Sequence, residues 1–563
     1  MKVTLIFFLF GLIVNLDLVL SEKDCEDKPQ LDITTGTIKG KSVDFRGSKI
    51  YQFLNIPFAE PPINDLRFKK PIPKKPWRGV IDTNQWGSYC IQNLYPGFNT
   101  NIKFDEDCLV LNVFVTQSAI KDKQQDDNRR LRPVLVWFHG GAFNFGSANM
   151  KERYDGSALA ALHDVIVVTV NYRLGPLGFL YLPESDIPGN MGLWDQKLAL
   201  QWVKDNINTF GGDSDSVTIF GESAGSMSVS AHIVSPQSRG LFKNAIMQSA
   251  SIYDLDRWTI KDLNTKFFKA IGCQPGVNIS LCLSLYQPLK SQVTNDLMFW
   301  PISGDEFLPS HPESIVSSGG VDPNINVLLG TVGNEGAFML ILKDPITFHP
   351  INPLNLTLPH AKYIFGKPFG KSLINFYSDR YLVNVDPIAS DAIRLAVSQA
   401  LGDTILTCPT YAFGRDLVNS GSTNVYAYYQ SQRPSQSLLP IATPSKWLPA
   451  THGDCIPMVF GLPLLRPENY TMEDTILSMI MMDSWVTFAR EGKPPPIGQQ
   501  LWSPWNNDSH KTITFDANKI GQTESQPIEF CLKHWPFPLE SQYPLTFEPG
   551  AFSKIDDHER SDL

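Results

Sequence analysis

The chain has 563 residues, 42% of them apolar and 19% charged, and its formal net charge at pH 7 is −9. That balance suits a globular protein with a large core and requires no long disordered block. The negative sum argues against a polyanionic partner such as nucleic acid. At the N-terminus, Lys2 precedes an apolar run from Thr4 to Val14, and the small residue Ser21 follows Val19 and Leu20. A basic residue, a short apolar stretch and a small residue after it make a secretory signal peptide over residues 1–21. The run is too short to favour a membrane anchor, and no later stretch reaches the ~18 apolar residues of a spanning helix. The polar end, Glu559-Arg560-Ser561-Asp562-Leu563, is read neither as a retention tail nor as a lipid-anchor signal. A secreted, extracellular protein is therefore expected. In that compartment the eight cysteines default to disulfides. Sequons at Asn278, Asn355, Asn469 and Asn507 are candidate glycan sites.

Further along, the runs Val134–Phe138, Val165–Val170, Val217–Phe220 and Val327–Gly330 are continuously apolar rather than alternating. Such runs predict strands buried on both faces, as in a parallel sheet covered by helices. Between the second and third, Trp194, Leu198, Leu200, Trp202, Val203 and Ile207 recur near helical spacing over Leu193–Asn208, and Gly211-Gly212 stops the pattern. Strand, helix, strand in that order is a crossover unit and predicts an α/β architecture. Lys121–Arg132 is nearly all charged or amide and is expected as a solvated surface loop. The Pro-rich stretches Pro57–Pro76 and Pro494–Pro504 read as irregular connections, and no internal repeat is present. One catalytic domain over residues 22–545, followed by a polar tail over 546–563, is the simplest organisation.

Gly221-Glu222-Ser223-Ala224-Gly225 follows one of these strands and precedes a helix-compatible run through Ile233. That is the context of a nucleophile elbow, in which a sharp turn exposes the serine hydroxyl and the glycines let strand and helix approach closely. Phe138-His139-Gly140-Gly141-Ala142-Phe143 follows another strand, and its Gly-Gly turn exposes backbone N–H groups. With the Ala224 N–H these suit an oxyanion, each donor contributing roughly 3 kcal/mol in the transition state. A serine nucleophile needs a base, and the base an orienting acid, in the chain order Ser, acid, His for this architecture. Glu335 follows a strand in Thr331-Val332-Gly333-Asn334-Glu335-Gly336, with Asp305 in Gly304-Asp305-Glu306 as its rival. His349 and His360 crowd the acid candidate, and His510, His534 and His558 lie in late polar segments. His452, in the small-residue loop Ala450-Thr451-His452-Gly453-Asp454, is favoured by position, yet position alone does not exclude a structural histidine.

Together these segments resemble the type-B carboxylesterase/lipase family, which includes cholinesterases and arthropod carboxylesterases. The resemblance runs from about Gly36 to about Pro538. It is carried by Phe53-Leu54-Asn55-Ile56-Pro57-Phe58-Ala59, Glu106-Asp107-Cys108-Leu109, Asn171-Tyr172-Arg173-Leu174-Gly175, Pro188-Gly189-Asn190 with Asp195-Gln196, Phe210-Gly211-Gly212-Asp213 and the elbow. It implies an α/β-hydrolase fold, a central mostly parallel sheet with helices on both faces. It also implies Ser223, Glu335 and His452 as the catalytic groups, Asp305 as a structural turn, and Gly141, Ala142 and Ala224 as oxyanion donors. The implied disulfides are Cys90–Cys108, Cys273–Cys282 and Cys408–Cys531, leaving Cys25 and Cys455 over. Arg67 with Glu106, and Arg173 with Asp195, resemble the family's buried ion pairs.

The implied reaction is two-step acyl transfer on a small-molecule ester, for which no metal or organic cofactor is needed. A homodimer is compatible with this reading. In cholinesterases a tryptophan inside the first disulfide loop holds the quaternary ammonium by cation–π attraction. Here Ile91 to Asp107 looks shortened and holds Phe98 and Phe104 but no tryptophan. A general carboxylesterase acting on apolar esters is therefore expected ahead of a cholinesterase. Trp258, Phe143, Phe145 and Phe338 are candidates to line its pocket. A non-catalytic, cholinesterase-like binding protein is the rival from another class, disfavoured because the nucleophile and both partners are present.

Overall fold

The computed structural model describes residues 28–536 apart from 93–101, 126–129, 183–184, 254–259, 274–281, 284–285, 287–297, 370–372, 422–423, 438–444, 446, 519 and 524–525. The proposed signal peptide, Cys25, Phe98, Trp258, Asn278, His558 and the polar tail lie outside the described residues.

The chain is built on an 11-stranded sheet. In chain order its strands are β1 (Lys41–Phe45), β2 (Ser48–Pro57), β3 (Val110–Thr116), β4 (Arg132–Phe138), β5 (Ile166–Val170), β6 (Gly212–Glu222), β7 (Asn244–Gln248), β8 (Asn326–Val332), β9 (Asn424–Gln430), β10 (Thr512–Phe515) and β11 (Gly521–Thr523). Across the sheet the order is β11-β10-β9-β8-β7-β6-β4-β5-β3-β2-β1. Every pairing from β5 through β4 and β6 to β10 is parallel. Strands β1 to β3 and β11 add antiparallel edges.

The continuous apolar runs have the expected cause. Val134, Val136 and Phe138 enter one core cluster, and the alternate residues Leu135 and Trp137 enter a second on the opposite face. Ile219 and Phe220, and Val327 and Leu328, divide in the same way. A strand with two dry faces cannot alternate with polar residues. Helices α1 (Met191–Asn206) and α2 (Ala224–Val234) feed Leu193, Leu200, Val203, Met227 and Val229 into the first cluster. Further on, α3 (Gly336–Lys343) and α4 (Ser390–Gly402) share a third cluster through Ala337, Leu340, Val397 and Leu401. The long α5 (Met472–Glu491) feeds Leu477, Met481, Trp485 and Phe488 into the second.

One expected loop is in part a helix. Gln117–Gln125 is helical, taking in the first half of the charged stretch read as irregular. Straight-chain Gln and Lys have good helix propensity, and buried Ala119 and Ile120 anchor the first turn. Sequence polarity reported solvation there, which a surface helix satisfies as well as a loop does.

Strand β4 sits between β5 and β6, and the chain crosses from one side of β4 to the other through α1. This is the α/β-hydrolase fold. In open α/β sheets the crevice at such a topological switch point, beyond the carboxyl ends of the strands, is where ligands bind. The strands meeting there, β4 and β6, run straight into His139-Gly140-Gly141 and Ser223.

Candidate active site

Strand β6 ends at Glu222 and α2 starts at Ala224, so the reversal falls on Ser223, at φ 59° and ψ −125°. A residue with a Cβ rarely adopts that backbone, and the surroundings must hold it there. The Ser223 N–H donates to the Gln248 carbonyl at 2.9 Å. The flanking glycines are required by contact. A Cβ on Gly225 would lie 2.0 Å from the Phe138 carbonyl oxygen, and one on Gly221 2.5 Å from the Gly225 carbonyl carbon. Strand, turn and helix therefore pack backbone to backbone, leaving Ser223 half-buried at the helix N-terminus. The Ala224 N–H lies in the first turn, where α-helical N–H groups lack intrahelical partners.

The loop after β4 lies against this turn. A Cβ on Gly140 would meet the Glu222 carbonyl oxygen at 2.8 Å and the Ser223 Cβ at 3.1 Å. Gly141, Ala142 and Phe143 all have positive φ, at 117°, 51° and 60°. The Gly141 carbonyl accepts from the N–H groups of Asn144 and Phe145 at 2.9 and 3.0 Å. Asn144 ties the loop to Phe299, donating to its carbonyl and accepting from its N–H, both at 3.0 Å. Beneath lies His139, buried and stacked on Tyr172 at 4.4 Å. Burial pushes its pKa down to about 4, so the ring is neutral. Its Nδ1 is 2.8 Å from the Gly140 carbonyl, which only accepts, so the proton sits on Nδ1.

Glu335 and His452 are 117 residues apart in sequence, yet Glu335 Oε2 lies 2.7 Å from His452 Nδ1. Glu335 is fully buried, and its Oε1 accepts from the Val332 N–H at 2.8 Å. The bond to the carboxylate places a proton on Nδ1 and turns Nε2 toward the elbow. There Nε2 is 3.2 Å from Glu222 Oε1, the carboxylate next to Ser223. Burial lowers the His452 pKa, but Glu222 and then Glu335 overcome it and hold the imidazole up at about 9. Burial likewise raises Glu222, to about 7, against the pull of His452. The rival acid Asp305 is spent on its own turn, where Oδ1 accepts from the N–H groups of Phe307 and Leu308 at 3.0 and 2.7 Å.

Glu222 is the carboxylate of the elbow to which the motif itself assigns no role. The signal available in the sequence is a carboxylate directly before the elbow serine. Near the same site, the Phe338 ring is half-buried with its centroid 5.6 Å from that of His452. Phe143 instead packs inward, edge-on to Phe179 and Trp300. Phe145 is half-buried.

Among the described residues, cysteines pair as Cys90–Cys108, Cys273–Cys282 and Cys408–Cys531. Cys455 is a buried thiol that accepts from Gln248 Nε2 at 3.1 Å. Arg67 and Glu106 form a two-pronged pair at 2.7 Å. Arg173 and Asp195 do the same at 2.8 and 2.7 Å, almost wholly buried. Asn355, Asn469 and Asn507 are exposed. Among the described residues, no group of three or more His, Cys, Asp or Glu side chains is placed to hold a metal ion, and no helix is long and apolar enough to cross a membrane.

Residues 27–531 match the family described as "Carboxylesterase family". The chain is 35% identical to an acetylcholinesterase of Bungarus fasciatus, over 88% of this chain and 84% of that protein. It is 33% identical to a cholinesterase of Mus musculus, over 92% and 88% respectively. An acetylcholinesterase of Leptinotarsa decemlineata is 32% identical, over 89% and 84%.

Proposed function

Since the chain belongs to the carboxylesterase family and is a carboxylic ester hydrolase, we propose that Ser223 is its nucleophile, His452 its general base and Glu335 the acid that orients the base. The observation that carries this reading is the 2.7 Å bond from His452 Nδ1 to buried Glu335, made by a ring whose Nε2 faces the Ser223 elbow. In the reaction Nε2 takes the Ser223 hydroxyl proton as Oγ attacks the ester carbonyl. The tetrahedral oxyanion accepts hydrogen bonds from the N–H groups of Gly141, Ala142 and Ala224. Collapse expels the alcohol, which takes the proton from His452, and water attacks the acyl-enzyme by the same route. An aryl fluorophosphonate probe followed by peptide mass spectrometry tests the assignment. Covalent adduct on Ser223 is expected, and label elsewhere, or none, overturns it.

The substrate we propose is an uncharged ester with an apolar acyl or alcohol group. Supporting this, the loop from Ile91 to Asp107 has no tryptophan to face a quaternary ammonium. Choline esters are the second reading, favoured by the names of the relatives and by the Phe338 ring beside His452. Comparing kcat/KM for acetylthiocholine with that for uncharged aryl esters separates the two. A preference for the choline ester would reverse our choice.

Secretion belongs to the same proposal, with a signal peptide over 1–21 and glycans on the exposed sequons. Three disulfides fit an oxidising compartment. Glycosidase shift and N-terminal sequencing of protein from culture medium test it. Sedimentation velocity tests whether the chain forms the homodimer we include in this reading.

A further inference from the structure

We infer that Asn334 is a positioning residue that sets the approach of His452 to Glu335, an inference that rests on the base-and-acid reading above. The two side chains come from loops with no covalent reason to meet. Strands β8 and β9 pair as far as Val332 and Gln430. Beyond that point β9 departs, and the segment carrying His452 arrives in its place. Asn334, one residue before the acid, joins that segment through a backbone bridge to Thr451, one residue before the base. Its N–H donates to the Ala450 carbonyl at 2.8 Å.

The side chain of Asn334, 2% exposed, anchors this bridge in two more directions. Oδ1 accepts from the Ala337 N–H at 3.0 Å, satisfying a donor in the first turn of α3. Nδ2 donates to Ser398 Oγ on α4 at 2.9 Å, and Ser398 itself donates to the Leu395 carbonyl at 3.0 Å. Behind it the two helices are in backbone contact, since a Cβ on Gly336 would lie 1.9 Å from the Ser398 carbonyl oxygen. The backbone of Asn334 thus holds the base loop, and its buried side-chain amide ties that backbone to α3 and α4. Without that side chain the backbone bond to Ala450 and the bond from Val332 to Glu335 remain, but the segment that carries both loses its anchors on α3 and α4, and the spacing of base and acid is no longer held.

The consequence is a loss of turnover rather than of binding. In Asn334→Ala we expect kcat to fall by about 10- to 100-fold, the scale of an ångström of misplacement, with KM changed less than about twofold, as for loss of an interaction used in the transition state. Asn334→Asp keeps the acceptor for Ala337, and the Ser398 hydroxyl turns to donate to it. That variant should recover most of the plateau kcat, while the added negative charge moves the acid limb of the pH profile to higher pH. Ser398→Ala removes one anchor only and should cost about threefold, a small part of the same misplacement. Each variant is measured as the full-length chain, with its Tm and fluorophosphonate stoichiometry, well below its Tm. The inference is overturned if Asn334→Ala keeps kcat within twofold of the parent. It is equally overturned if kcat falls only in step with Tm and Asn334→Asp restores neither kcat nor the shifted limb. Failure of the parent reading shows separately, as hydrolysis that survives Ser223→Ala.

Discussion

The Ser223 turn and the His452–Glu335 pair solve the same problem, precise placement of a side chain, by opposite means. Ser223 is placed by five consecutive residues whose backbone is squeezed between β4, β6 and α2. His452 and Glu335 are placed by two distant loops, joined by a bridge and buried hydrogen bonds. The elbow is held by excluded volume, which is unforgiving but local. The pair is held by polar contacts, which are individually worth only about 1 kcal/mol and act through cooperation.

The largest loss is expected at the proposed nucleophile. Ser223→Ala should reduce kcat by about four orders of magnitude or more, read as burst and steady-state ester hydrolysis, with the fold intact by circular dichroism. Glu335→Gln should cost about three to four orders of magnitude in kcat, because the amide holds the imidazole in the wrong tautomer. An active Glu335→Gln enzyme would return Asp305 to consideration.

Glycine replacements separate the two modes of placement directly. Gly225→Ala forces a methyl into the Phe138 carbonyl and should destabilise the chain by about 3 kcal/mol or more, seen as a lower Tm. Gly333→Ala meets only ordinary contacts, the nearest being the Ala450 carbonyl at 3.4 Å, and should change stability by less than about 1 kcal/mol. Equal effects would mean that the two regions are packed alike.

A smaller effect concerns pH. With His452 as the proposed base, only its unprotonated imidazole accepts the serine proton, and activity should fall as pH drops through its pKa. Glu222 raises that pKa, and Glu222→Gln should lower it and extend activity to more acidic pH. A pH–kcat/KM profile checks the direction, and an unmoved acid limb would remove Glu222 from the electrostatics of the base. The smallest effect lies far from the site. Thr471→Ala removes half of the capping box at the start of α5 and should cost about 1 kcal/mol of stability by denaturant titration, with kcat unchanged.

The sequence by itself determined the buried strands, the elbow and the turn after β4, because each is written in adjacent residues. An apolar run with no polar alternate residue has two dry faces to fill, and glycines two positions either side of a serine permit only a tight strand-to-helix turn. It could not by itself pair His452 with Glu335. Position left His452 among six histidines and Asp305 beside Glu335, and only resemblance chose between them. Nor did it show Gln117–Gln125 as a helix, since polarity reports solvation and not backbone shape. The tertiary structure decided what lies close across large gaps in sequence. It turned His452 Nε2 toward Glu222, spent Asp305 on its own turn, and made Asn334 the joint between two loops. The physical reason is that periodicity and steric exclusion act between neighbours along the chain, whereas a hydrogen bond over 117 residues exists only after the core has brought its partners together.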